Sequence, residues 1–380
     1  MMAKKVEGSS GLFTIAHKEF FDHIRSRKFI LIFSIFLVIA IIGMIGGIAQ
    51  YEKDLKSYTD QRSAASSSIV QGYMGDRPSV MTVFATVATY LSFLGAILGI
   101  AMGFDLVTKE KESKSLKILL SHPIYRDEVI NGKALGGITA LFLALAIVLS
   151  ISLATLLIYG IVPDGGEFVL IAVFGAVSFL FIFTYFSIAL FMSTISSDSG
   201  SALIFTMIIF IVLSSLLPTM ANDTVMEAIA GTSPQMPQEL LDQMSVNIDN
   251  SSKSASFTYP DSGSSPAWDE YSKNVQEYWE KRTAIQGVFA LFSPTMNYDS
   301  ITQKITSAVT TKQLSYRSFG SGTTAVTISS ASSSFDTSDR KDTDIAGILG
   351  GIIPNLVALL VFPACFFALS YAKFMRMDVR

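Results

Sequence analysis

Six long stretches without a charged residue constrain this chain more than any other feature. A helix that crosses a lipid bilayer needs ~20 consecutive apolar residues, and each stretch is long enough to supply them. They cover residues 29–51, 78–104, 134–163, 168–197, 199–222 and 345–372. Only Asp198 separates the fourth from the fifth, and the serine and glycine around it predict a tight turn. We therefore predict an all-α polytopic membrane protein with six transmembrane helices.

Composition agrees with a membrane location. The 380 residues are 50% hydrophobic and 16% charged, whereas a soluble domain carries roughly 25% charged residues. The net charge of −3 gives no support to nucleic-acid binding. Cys365 is the only cysteine, so it cannot form an internal disulfide, and the three histidines are dispersed. We expect no metal site and no catalytic residues, because such sites need clustered partners.

The distribution of basic residues predicts the orientation. With the amino terminus inside, the inner segments hold 15 of the 28 lysines and arginines but only 10 of the 31 acidic residues. Basic residues accumulate on the cytoplasmic side of membrane proteins, so both termini are expected there. The predicted organisation is a cytoplasmic start (1–28), spans one to five with an inner loop at 105–133 (29–222), an extracytoplasmic domain (223–344), the sixth span (345–372) and a cytoplasmic tail (373–380).

The first segment has the pattern of a helix that lies in the membrane interface. Phe13, Phe20 and Ile24 recur at helical spacing, while Lys18 and Arg25 lie elsewhere around the helix. An amphipathic helix of this kind rests its apolar stripe on the lipid bilayer.

Glycines recur at every fourth position in the second span, at Gly95, Gly99 and Gly103. Small residues at this spacing let two helix backbones approach closely. They could form a dimer seam or line a transport pathway, or they could pack helices within one protomer.

The segment before the last stretch is expected to be an α-rich outer domain. Aromatic and apolar residues recur at helical spacing from Pro266 to Leu291, and Tyr298–Val309 has the pattern of a further short helix. Residues 250–266 are rich in serine and proline, which predicts a flexible linker.

The inner loop carries six basic residues and a small apolar cluster. Leu116, Leu119 and Leu120 are expected on a short helix that Pro123 ends, because proline removes a backbone donor. An exposed leucine cluster at a membrane face is typical of a docking element, and an ordinary basic loop is the alternative interpretation.

This loop resembles the cytoplasmic loop of type-2 ABC exporter permeases. The resemblance lies in a glutamate, leucines, a serine, a proline, an arginine and then glycine–lysine: Glu110, Leu116, Leu119, Leu120, Ser121, Pro123, Arg126, Gly132 and Lys133. One departure is that the family often has glycine–threonine before the leucines, where this chain has Lys114-Ser115. The amphipathic start and the position of the loop between spans two and three extend the resemblance.

The resemblance implies a permease subunit that is not itself an enzyme. It implies a homodimer, or a pair with a close paralogue, in a prokaryotic cell membrane, driven by a separate ABC ATPase that binds ATP and Mg²⁺. The loop would form the coupling helix, with these residues at the ATPase: Glu110, Ser115, Leu116, Leu119, Leu120, Pro123 and Arg126. This chain has no phosphate-binding loop of its own. The alternative is a membrane-anchored receptor or assembly factor whose outer domain binds a partner without transport.

The absence of charged residues from the six stretches argues against two other classes of membrane protein. Ion-coupled carriers and intramembrane hydrolases keep ionisable residues at membrane depth, so both classes are disfavoured. A sodium-coupled carrier stays an alternative, because backbone carbonyls can also hold a sodium ion.

Overall fold

The computed structural model describes residues 10–67, 78–115, 125–238, 245–249, 254–258, 266–307 and 345–377. In these ranges six helical segments are long and apolar enough to cross a membrane, which confirms the predicted number of spans. They are α2 (Arg27–Ser67), α3 (Met81–Gly103), α5 (Arg126–Ile158), α6 (Gly165–Ile195), a fifth span that joins α7 (Ser199–Ile211) to α8 (Leu217–Met220), and α12 (Ile345–Met375).

Shorter elements complete the described chain. They are α1 (Ser10–Arg25), α4 (Thr108–Glu112), α9 (Asp223–Ala230), β1 (Ser245–Asp249), β2 (Ser254–Thr258), α10 (Pro266–Phe292) and α11 (Pro294–Ser307). The helix predicted from Pro266 therefore forms and ends at Phe292, next to the predicted stop.

The strands show that residues 250–266 are not wholly a linker. β1 and β2 form an antiparallel hairpin in which Ser245 pairs with Thr258 and Asp249 with Ser254. The prediction of a flexible linker is therefore wrong for Ser254–Thr258. Backbone pairing in a hairpin satisfies main-chain donors and acceptors whatever the side chains are, so a serine-rich composition does not prevent it.

The turn between spans four and five follows the prediction. Asp198 caps the amino end of α7, and its Oδ1 accepts a hydrogen bond of 2.8 Å from the Ser201 backbone N–H. An aspartate at this position satisfies one of the free amide groups at a helix start. Later in the same span a π-helical turn, Val212–Leu216, joins α7 to α8.

The second and fourth spans form the centre of the bundle. Phe84, Phe174, Phe181 and Phe186 are fully buried there. The three glycines of α3 face α6: a Cβ at Gly99 would lie 2.5 Å from the Ile182 carbonyl oxygen, and one at Gly103 would lie 2.6 Å from that of Phe186. Gly95 lies against the Ile182 side chain. Within the described chain, these glycines bring two helices of one protomer together.

Helix α1 lies against the first turns of α5. A Cβ at Gly136 would be 2.8 Å from the Ala16 carbonyl oxygen, so only glycine permits this approach. Phe20 and Ile24 pack against the core, whereas Phe13 is 67% exposed. The apolar stripe of α1 is thus divided between the bundle and the surface.

The outer segment does not lie wholly apart from the spans. Helix α11 packs against α3, α6 and α12, with Tyr298, Ile301 and Ile305 fully buried. The Tyr298 ring stacks on Phe181 at 4.5 Å between centroids. Within the segment 223–344, which was predicted as an extracytoplasmic domain, α11 thus packs against the spans. The polar residues of α11 hide it from a hydropathy criterion, and bonds such as that between the Tyr298 and Ser178 hydroxyls (3.0 Å) satisfy them inside the bundle.

Candidate functional site

The described part of the inner loop ends at Ser115 and resumes at Tyr125. Four predicted coupling residues therefore lie outside the described residues: Leu116, Leu119, Leu120 and Pro123. The predicted site can be followed through Glu110, Ser115 and Arg126, which flank them.

Glu110 belongs to an ion-pair cluster with a buried lysine. The Lys133 Nζ lies 2.7 Å from the Glu110 Oε1 and 2.8 Å from the Glu19 Oε1. Lys133 is only 2% exposed. A buried ammonium needs compensating charge, and here two carboxylates supply it. Because Glu19 is on α1, Glu110 on α4 and Lys133 on α5, the cluster joins three helices.

His23 lies beside this cluster, on the same helix as Glu19. Its Nε2 is buried and has no hydrogen-bond partner within the described part of the chain. Burial lowers the pKa of the imidazole below its ordinary value, against the opposing effect of the Glu19 and Asp105 carboxylates. The ring is therefore held neutral to a lower pH than a free histidine.

Helix α4 is also attached to the turn between spans four and five. The Lys111 Nζ donates to the carbonyl oxygens of Thr194 (2.8 Å) and Ser196 (2.9 Å). The end of α6 carries the negative pole of the helix dipole, so a lysine is favourable there. On the other side of the turn, the Glu112 Oε1 accepts from the Ser199 backbone N–H at the start of α7.

A serine near the end of α6 fixes the start of α4. The Ser193 Oγ accepts hydrogen bonds from the backbone N–H groups of Val107 (3.0 Å) and Thr108 (3.1 Å). These are amide groups that a helix start leaves free, and a buried hydroxyl satisfies both. The register of α4 against the fourth span is set by this contact.

The loop is attached to the sixth span where it returns to the membrane. The Arg126 Nη1 donates to the Met377 carbonyl oxygen at 2.8 Å and reaches that of Met375 at 3.5 Å. Met375 is the last residue of α12 and Met377 lies two residues beyond it, and the end of a helix favours a cation. Glu110 and Arg126 were predicted to contact a partner. In this chain the Glu110 Oε1 and the Arg126 Nη1 bind its own residues, whereas the Glu110 Oε2 is buried without a hydrogen-bond partner among the described residues.

Lys114 and Ser115 occupy the two positions where this sequence differs from the glycine–threonine of the family that it resembles. The Ser115 and Ser113 hydroxyls lie 2.8 Å apart in a hydrogen bond. Lys114 has a φ of 56°, a left-handed conformation that glycine adopts most easily. The backbone thus turns at Lys114 where the family often places glycine.

The sequence predicted Lys133 only as part of a motif. It did not predict that Glu19 would pair with this lysine or that Lys111 would bind the end of α6. The glycines of α5 carried a usable signal, since Gly132 and Gly136 flank Lys133 at helical spacing and both face α1. In the ranges that the structure describes, no group of three or more histidine, cysteine, aspartate or glutamate side chains could hold a metal ion.

Comparison with known proteins gives consistent matches. The model of a family described as ABC-2 family transporter protein matches residues 13–379. A protein of Pseudomonas aeruginosa named Probable ABC transporter permease protein NosY is 28% identical over 194 residues, which are 50% of this chain and 62% of that protein. The protein of the same name from Stutzerimonas stutzeri is 29% identical over 147 residues, 39% of this chain and 45% of its own length. The chain thus spans less than two thirds of either relative.

Proposed function

The chain belongs to the ABC-2 family of transporter proteins, and on that premise we propose that it is the transmembrane permease subunit of an ATP-driven exporter. In this proposal it moves a substrate outward across the cell membrane of a prokaryote. A separate ABC ATPase subunit binds ATP and Mg²⁺ and supplies the energy. The permease is a non-catalytic component.

The observation that carries the proposal is the attachment of the inner loop to the bundle at both of its ends. Before the loop, α4 is bound to α5, α6 and α7 through Glu110, Lys111 and Glu112. After the loop, Arg126 is bound to the end of α12. A movement of residues 116–124 would therefore be transmitted to several spans at once, as a coupling element requires.

The leucines of that segment supply the proposed contact with the ATPase. Fully burying a leucine side chain stabilises by roughly 1.5–3 kcal/mol, so two leucines per protomer could hold a complex. In the proposed cycle, ATP binding closes a pair of ATPase subunits. The two coupling segments follow that motion, and the fixed ends pass it to the spans.

A dimer is part of the same proposal. The first, fifth and sixth spans leave most of their apolar surface exposed in a single chain. A second copy or a close paralogue would cover part of this surface and enclose a pathway between the two subunits. Lipid covers the rest.

Co-purification tests the proposal. Leu116→Asp combined with Leu119→Asp should leave the spans assembled and remove the ATPase from the purified permease. The matched control is Ile158→Asp combined with Val162→Asp, an apolar pair at the opposite end of the spans that is 82% and 74% exposed. Both variants are compared with wild type at equal membrane levels. Equal ATPase recovery from the loop variant and wild type would remove this segment from the coupling role and favour the receptor alternative.

A further inference from the structure

Helix α10 changes its character along one face. Lys281 and Glu277 lie about two and three helical turns before Val288, so these three side chains share a face of the helix. Both charged side chains are exposed. Val288 is 55% exposed, and beside it Leu291 and Phe292 are 48% and 62% exposed. One face of a single helix thus passes from charged to apolar while remaining uncovered by this chain.

Hydrogen bonds to the fifth span give the depth of the apolar part. The Gln286 Nε2 donates at 3.2 Å to the carbonyl oxygen of Ala221, the residue that follows the end of that span. The Ser293 Oγ donates to the Leu213 carbonyl oxygen at 2.7 Å. Leu213 precedes Ala221 by eight residues, which is roughly 12 Å along a helix. Residues 288–292 therefore lie between the end of the fifth span and a level well inside it.

Helix α11 returns toward the same end of the spans. The Tyr298 hydroxyl is bonded to Ser178 of α6, and later in α11 the Lys304 Nζ donates to the Gly351 carbonyl oxygen at 2.9 Å. Gly351 is within the first two turns of α12, at the end of the sixth span that is opposite the inner loop. Helices α10 and α11 thus form a hairpin whose turn lies at the depth of the spans.

The turn of this hairpin satisfies its own backbone. Asn297 is fully buried, and its Nδ2 donates to the carbonyl oxygens of Ala290 (2.7 Å) and Ser293 (3.0 Å). The Ser293 Oγ accepts a hydrogen bond of 3.2 Å from the Met296 backbone N–H. Non-helical backbone at membrane depth is tolerated only where protein groups take the place of water. The side chains at this turn meet that requirement.

The apolar part of α10 lies level with lipid-facing side chains of the fifth span. Between the levels of Gln286 and Ser293, that span exposes Leu216 (47%) and Met220 (39%). No charged residue occurs in positions 283–292 of α10. An exposed apolar surface of this kind is stable against hydrocarbon and unfavourable against water.

We propose that the carboxyl-terminal part of α10 is inserted in the bilayer, and that Val288, Leu291 and Phe292 form a binding surface for phospholipid acyl chains. These acyl chains belong to the leaflet opposite the inner loop. The charged part of α10 extends from that leaflet into water. This interaction surface goes beyond the proposed transport function and does not depend on it.

Spin-label accessibility tests the surface on the purified full-length chain in phosphatidylcholine vesicles. In a Cys365→Ala background, a nitroxide is attached to Val288→Cys and, as the matched control on the same face, to Lys281→Cys. Molecular oxygen concentrates in hydrocarbon, whereas nickel ethylenediaminediacetate stays in water. The ratio of oxygen to nickel collision rates should be several-fold higher at position 288 than at position 281. Leu291→Cys should behave as Val288→Cys does, and Glu277→Cys as Lys281→Cys does.

Other occupants of this face give different results. Nickel collisions as frequent at position 288 as at position 281 would mean that the face meets water, and would overturn the proposal. A soluble partner or a second copy of the chain would shield position 288 from both reagents, which would overturn it as well. For a second copy, the spectrum would also show spin–spin broadening that disappears on dilution with unlabelled chain.

A second measurement uses the unmutated chain, so it does not depend on the folding of a variant. A phosphatidylcholine with a diazirine near the end of one acyl chain forms adducts on illumination with the residues that hydrocarbon touches. Trypsin separates the two parts of α10, because it cuts after Lys273, Lys281, Arg282 and Lys304. Adducts are expected at positions 288–292 of the peptide 283–304 and not in the peptide 274–281.

Adducts in the spans without any at positions 288–292 would show that acyl chains do not reach this face. Neither measurement uses an ATPase or a substrate. A negative result here therefore leaves the co-purification test of the proposed function unaffected, and the reverse also holds.

Discussion

The Nζ of Lys133 lies 2.7 Å from the Oε1 of Glu110, and these two residues stand on opposite sides of the inner loop. The ion pair joins the two sides of the loop at its base. Glu19 adds a second carboxylate from α1. The loop is thus held where the second span ends and the third begins.

Removing the lysine from this cluster should be strongly destabilising. Lys133→Met leaves two buried carboxylates without their cation, and breaking a buried ion pair in this way costs about 3 kcal/mol or more. Thermal unfolding in detergent, followed by size-exclusion chromatography, measures the loss. Lys109→Met, an exposed lysine on α4, is the control and should unfold as wild type does. Adding Glu19→Gln and Glu110→Gln to Lys133→Met should restore much of the stability, and no recovery would contradict the charge explanation.

The contact of α3 with α6 should depend on Gly99. An added methyl would lie 2.5 Å from the Ile182 carbonyl oxygen, a backbone atom that cannot move alone. We expect Gly99→Ala to cost roughly 1–3 kcal/mol of stability, as overpacking does elsewhere. Gly46→Ala is the matched control, because nothing lies within 4 Å of its added methyl. If both variants unfold at the same temperature, the close approach of the two helices is wrong.

His23 should make stability fall on acidification. Burial lowers its pKa in the folded chain, whereas the unfolded chain protonates it at about 6.5. Unfolding therefore takes up a proton below that pH, and stability is lost as the pH drops through this value. The unfolding temperature of wild type should fall more steeply from pH 7.5 to 5.5 than that of His23→Gln. His17→Gln changes an exposed histidine on the same helix and should follow wild type. Parallel curves for wild type and His23→Gln would exclude this role.

The orientation of the spans can be read by labelling. In a Cys365→Ala background, Ser115→Cys should react with an impermeant maleimide only after the cells are opened, and Glu270→Cys should react in intact cells. The reason is the excess of basic residues in the segments assigned to the inside. Reaction of both cysteines in intact cells would overturn the assigned orientation.

Hydropathy was sufficient to predict the six spans, but it did not predict that helix α11 packs between them. The apolar runs predicted six spanning helices, and the Asp198 turn followed from local capping chemistry. A short helix was predicted at Tyr298–Val309, but its packing between the spans was not, because Asp299 and Lys304 give α11 the composition of an outer, water-facing segment. Its polar groups are acceptable only because hydroxyls from other spans meet them.

The anchors of the inner loop were hidden for a different reason. Glu19 and Lys133 are far apart in the chain, and nothing local distinguishes this glutamate from its neighbours. Only the packing of α1 on Gly132 and Gly136 brings the carboxylate to the lysine. Local patterns identify helices, whereas long-range ion pairs depend on how the helices cross.

Helix α11 also limits how this chain can be shortened or recombined with its relatives. The Ser293 Oγ donates to the Leu213 carbonyl oxygen within the π-helical turn, and Thr295 meets the Tyr185 hydroxyl. Deleting residues 266–307 would strip these partners from the fourth and fifth spans. The segment before the last span therefore cannot be exchanged between relatives as an independent unit.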